Sequence, residues 1–168
     1  MIDALELVLN EFREEAAVTR RVMERVPADK LSWRPHPRSM SLGQLALHVA
    51  RIPGSLARFV QTEVFAASEV SSATLIPGDV SEIHAAFEQS VRSAEECLSG
   101  MSDLMISGNG CLTLRGKEVS ARPWMRALRF MVLNPWYHHR GQLSVYFRLL
   151  EVPVPLIYGH SADECPFT

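Results

Sequence analysis

Apolar residues return every three or four positions along four separate stretches of this chain, and that period confines the fold to packed helices. In the first stretch Ile2, Leu5, Leu9, Phe12, Ala16, Thr19, Met23 and Val26 share a face, charged residues fill the other, and Pro27 ends the run. The spacing predicts an amphipathic helix over about Ile2–Arg25. Pro27, Pro35 and Pro37 then make an extended connection. A second helix begins at Ser39 or Ser41, because Ser41 and Gln44 have capping-box spacing, in which each side chain satisfies an orphan backbone donor of the other. Its apolar face is Leu45, Val49, Ile52, Leu56, Phe59 and Val60, and Pro53 within it predicts a kink rather than a break. Asp79 or Ser81 caps a third helix with Val80, Ile83, Phe87, Val91, Ala94 and Leu98 on one side.

Residues 100–121 lack this period, and Cys111–Val119 reads as a short hairpin turning at Arg115–Gly116. The last helix occupies about Pro123–Leu150, before a proline-rich tail. Within it, Asn134-Pro135 predicts a kink or irregular turn between Phe130 and Trp136, with Asn134 suited to cap a restarted helix. The sum is an all-α fold, a four-helix bundle with a β-hairpin-like segment before the last helix, in one domain over 1–168. No strand–helix alternation suggests a parallel sheet.

The chain has 168 residues and is 47% hydrophobic, enough for a core without disulfide or metal staples. With 17 Lys+Arg against 19 Asp+Glu the net charge is −2, which argues against nucleic acid as a partner. The longest stretch free of charged residues, Ser39–Ala50, is 12 residues, whereas a spanning helix needs about 20, so no membrane association is expected. Met1-Ile2-Asp3 shows no basic leader, and Cys97, Cys111 and Cys165 form no CxxC pair. Both point to reduced thiols in the cytoplasm.

Chemistry is concentrated in histidine. His48 shares helical offsets with Leu45, Ile52 and Leu56, and His139 with Val132, Trp136, Leu143 and Tyr146, so both face inward on different helices. Two such imidazoles can converge on one divalent ion, or each can be a hydrogen-bonded core residue; spacing alone leaves both readings open. Trp33, Trp136 and Tyr158 can line a pocket near His48 or simply fill the core. No phosphate loop, G-x-S-x-G elbow or HExxH pair is present.

Four segments, Trp33-Arg-Pro-His36, Ser39–His48, Asn134–Leu143 and Arg148–Gly159, together resemble the DinB family, also called DinB/YfiT-like, over nearly the whole chain. The resemblance implies an up-down-down-up bundle, often a homodimer, in which three histidines hold a divalent metal such as zinc or nickel and leave positions open. It also implies thiol-dependent transferase, isomerase or hydrolase chemistry on a small molecule. Carried onto this sequence, the ligand of the second helix falls on His48 and the last ligand on His139, but the first member of the His-x-x-x-His pair falls on Pro135. His138 lies about 100° around the helix from His139, so it does not simply replace the lost ligand. His84, Glu88 or water remain as candidates to complete the site. Two functions follow: a metal-dependent transferase or hydrolase with a weakened site, or a metal-free family member that binds a small ligand or serves as a dimeric interaction module.

Overall fold

Val8, Phe12, Ala16, Thr19, Val22 and Met23 are buried along α1 (Ala4–Met23) in a computed structural model that describes residues 4–55, 75–102, 106, 108–114 and 117–165. These are the predicted positions, except that Val8 and Val22 are buried as well and Leu5 and Leu9 sit at the edge of the core. The last turn tightens before Pro27, with Arg25 and Val26 donating their amides to Val22 and Met23 carbonyls at 3.2 and 3.1 Å.

The second helix, α2 (Leu42–Arg51), starts at the predicted capping box, and both arms are made. Ser41 N–H donates to Gln44 Oε1 at 2.8 Å, and Gln44 N–H to Ser41 Oγ at 3.2 Å. Gly43 lies here against Pro77 and the Leu31 carbonyl, where an added Cβ would stand 3.0 and 3.1 Å from each. The kink expected at Pro53 is a larger interruption. Regular helix stops at Arg51, and Ile52–Gly54 turn, with Ser55 N–H reaching the Ile52 carbonyl at 3.0 Å. Proline supplies no amide to continue the ladder and its ring crowds the turn before it; Ser90 Oγ instead accepts the Gly54 N–H at 2.5 Å. The expected continuation through Leu56, Phe59 and Val60 lies outside the described residues, as does Ile2.

Helix α3 (Val80–Ser99) is capped by the Asp79 side chain, which accepts from Ser81 N–H, and buries Ile83, Phe87, Val91, Ala94 and Leu98. Strands β1 (Asn109–Leu114) and β2 (Lys117–Pro123) pair antiparallel with an irregularity at Leu112/Thr113, and the expected turn at Arg115–Gly116 lies outside the described residues. The last helix runs as α4 (Trp124–Leu128), a π turn (Arg129–Leu133) and α5 (Asn134–Leu149). The irregularity expected around Asn134-Pro135 is this π turn, and it closes with Asn134 N–H donating to the Arg129 carbonyl five residues back. Widening one turn accommodates a proline that cannot bond the carbonyl four residues earlier. Asn134 itself is not a cap: its φ and ψ of −62° and −46° are helical, so the chain passes through without restarting.

Side-chain ties fix the directions. Arg13–Glu95 and Arg20–Glu88 make α1 and α3 antiparallel. Glu11–Tyr137 and Glu15–Arg140 make α1 and α5 parallel, and Tyr146–Met40 with His48–His139 makes α2 and α5 antiparallel. The bundle is up-down-down-up.

A histidine pair between two helices

His48 occupies the last turn of α2, and the capping box sets where that helix starts. His139 lies in α5 one turn after Pro135. The antiparallel packing brings their rings edge to face, with centres 4.5 Å apart and planes at 80°. His139 Nδ1–H donates to Gln142 Oε1 at 2.8 Å, which fixes the tautomer and leaves the Nε2 lone pair free. Burial, aided by the neighbouring His139, pushes the His48 imidazolium down to about 4. Burial also lowers His139; the Gln142 contact opposes this and the adjacent His138 adds to it. Both rings are therefore neutral at pH 7, the protonation state a metal ligand needs.

A zinc–imidazole bond is about 2.0–2.1 Å, so two imidazoles on one ion have ring centres roughly 5 Å apart. The observed 4.5 Å is somewhat shorter and places both rings within reach of one ion. Among the described residues no three His, Cys, Asp or Glu side chains converge to hold one. Pro135 offers no donor atom. His138 is exposed, with its ring 5.0 Å from that of His139. His84 Nε2 is engaged by the Met23 carbonyl at 3.2 Å, and Glu88 is held by Arg20 in a two-pronged pair at 2.7 and 2.9 Å. His36 accepts the Arg38 amide at an exposed turn, and His160 is exposed in the tail.

The aromatic residues divide differently from the sequence reading. Trp136 is fully buried against Phe12 of α1, ring centres 5.6 Å apart, and Tyr158 bonds Glu15. Both stand on the α1 side of α5, away from His48. Trp33 packs edge-on against Tyr146. The residue that sequence reasoning missed is Arg140, with no exposed surface at all. Its one trace in the sequence is a helical offset shared with Trp136, Leu143 and Phe147, which the structure shows to be the fully buried face of α5.

An up-down-down-up bundle with two imidazoles in contact between its second and last helices places the chain among four-helix-bundle proteins. The DinB family profile matches residues 1–165, and the chain belongs to the DinB family. It is similar to a solved DinB-like protein from Bacillus cereus ATCC 10987, with a TM-score of 0.74 and 21% identity over 94% of this chain and 100% of that one. A DinB-like protein from Bacillus subtilis matches with a TM-score of 0.67 and 20% identity, over 90% and 97%. No curated protein matches the chain. Among the described residues no helix is long and apolar enough to cross a membrane.

Proposed function

We propose that this DinB-family chain binds a divalent ion, zinc or nickel, through His48 and His139, weakly, and works as a thiol-dependent transferase or hydrolase on a small electrophilic molecule. The observation that carries this reading is the convergence of two neutral imidazoles whose centres lie 4.5 Å apart. When bound, the ion would supply a Lewis acid able to lower the pKa of water or a thiol. The chain's own contribution is to hold the rings. Gln142 keeps the His139 Nε2 lone pair free, and burial keeps both rings unprotonated at neutral pH. Pro135 favours a second reading, a metal-free family member that binds a small ligand or pairs with another copy.

Titration calorimetry with zinc and nickel on tag-free protein decides between them. Wild type should bind weakly. Pro135→His restores the third imidazole and a backbone donor, and should raise affinity at least about tenfold, or roughly 1.4 kcal/mol. His139→Ala in that background should abolish the gain. Tight stoichiometric binding by wild type would mean another residue completes the site; no binding by any of the three proteins would leave the metal-free reading standing.

A further inference from the structure

Arg140 follows His139 directly and points the other way. Its guanidinium is fully buried between α1 and the tail, with Nη2 paired to Glu15 Oε2 at 2.6 Å. Nη1–H donates to Thr19 Oγ1 at 2.9 Å and to the Glu15 carbonyl at 3.2 Å, and Nη2–H donates to Tyr158 Oη at 2.5 Å. The Tyr158 hydroxyl donates in turn to Glu15 at 3.0 Å. The rings of Tyr137 and Tyr158 stand 5.4 and 5.0 Å from the guanidinium carbon. Arg140 Nε and, one turn earlier on the same ridge, Trp136 Nε1 have no hydrogen-bond partner among the described residues.

Stability does not account for this arrangement. Burying a guanidinium and a carboxylate costs several kcal/mol per ion, and apolar side chains of similar volume commonly hold a core as well or better. Here two buried donors are even left unpaired. What a guanidinium held through both terminal nitrogens adds over an apolar contact is direction. Successive helical side chains stand about 100° apart, so a helix pinned through Arg140 toward α1 must present His139 toward α2. A roll of about 20° would displace a group about 6 Å from the helix axis by about 2 Å. That is as long as a metal–nitrogen bond.

We propose that Arg140, clamped by Glu15, Thr19 and Tyr158, is a positioning residue that fixes the roll of α5 and so aims His139 at His48. This rests on the reading of the two histidines as a working pair. The clamp reaches the tail, since Tyr158 closes it from outside the bundle. It makes the last residues of the chain part of the histidine site's support.

The test uses the full chain with ¹⁵N-labelled histidine, at fixed pH and without metal. Arg140→Met and Glu15→Gln/Arg140→Met are compared with wild type, the double variant removing the carboxylate that the single one strands. The expected result is loss of the His48–His139 ring contact in nuclear Overhauser spectra, with the His139 tautomer kept by Gln142 of the same helix, in protein still folded by circular dichroism. Arg140→Lys should restore part of the contact. In a Pro135→His background the Met variants should weaken zinc binding about tenfold or more, the usual cost of losing a supporting partner. Folded Met variants that keep the ring contact and the zinc affinity would overturn the proposal. Should neither Met variant fold, Tyr158→Phe decides: a weakened ring contact supports the clamp and an unchanged one overturns it. If Pro135→His binds no zinc, the metal reading fails alone, and the ring contact still judges Arg140.

Discussion

His48 and His139 meet half-buried between α2 and α5, with ring centres 4.5 Å apart, and no carboxylate stands against either among the described residues. Burial penalises the charged form of each ring, so His48, with His139 beside it, is pushed down to about 4, and His139, with His138 beside it, is lowered as well. An unfolded histidine titrates near 6.5. Between about pH 4 and 6.5 the unfolded chain therefore binds more protons than the folded one, and stability rises with pH across that window. The melting temperature should be flat above about pH 7 and fall by several degrees toward pH 4. His48→Gln should flatten that limb. Below about pH 4 the carboxylates of Glu88 and Asp163, held low by Arg20 and Arg148, begin to lose their own contribution. A melting temperature independent of pH from 7 to 4.5 would contradict the burial assigned to the pair.

The reciprocal cap at Ser41 and Gln44 sets where α2 begins, with Ser41 seven residues before His48. Ser41→Ala removes the acceptor for the Gln44 amide and should cost about 1 kcal/mol. For a domain of this size that lowers the melting temperature by about 2–4 °C, read by calorimetry. Ser41→Asp, which keeps an acceptor, should recover most of it.

The helical order, the cap, the inward histidines and the irregularity beside Pro135 were all legible, because period and local backbone chemistry determine them. The depth of the interruption at Pro53 was not. It depends on Ser90 of another helix accepting the Gly54 amide, which no local rule reveals. The role of Asn134 was misread for a related reason: a π turn absorbs the proline, so the helix needs no new start and Asn134 no capping geometry. Arg140 was hidden by its residue type. Its partners, Glu15 and Thr19, lie more than a hundred residues away along the chain. A charged residue at a buried helical offset is legible only once the facing helix is known to carry the opposite charge.

The resemblance to the DinB family raises the expectation of a homodimer, and the outer face of α5 is the candidate surface. Val145 and Leu149 are 57% and 58% exposed there, and a Cβ added to Gly141 would meet nothing within 4 Å. A glycine inside a helix costs about 1 kcal/mol relative to alanine, and nothing within the described chain requires it at this position. Light scattering at micromolar concentration should give a dimer mass, and Val145→Glu/Leu149→Glu should return a monomer without lowering helicity. A wild-type monomer at that concentration would remove the expectation.

Gln142 is the last support of the pair and the most direct to remove. Its Oε1 accepts from His139 Nδ1–H at 2.8 Å, so the proton is held at Nδ1 and the free lone pair stays at Nε2. Gln142→Leu keeps the size of the side chain but offers no acceptor, leaving the two neutral tautomers to compete. Histidine ¹⁵N shifts should then move from one tautomer toward a mixture at His139, with His48 little changed. Because the Gln142 contact opposes the lowering by burial, its loss should also depress His139 further. In the Pro135→His background, zinc affinity should fall about 10- to 100-fold, as it does when the outer partner of a ligating histidine is deleted. Gln142→Glu places a carboxylate on the same nitrogen and should instead hold the Nδ1 proton and raise His139 toward or above its ordinary range. A His139 tautomer unchanged in Gln142→Leu would show that the ring is oriented by packing alone.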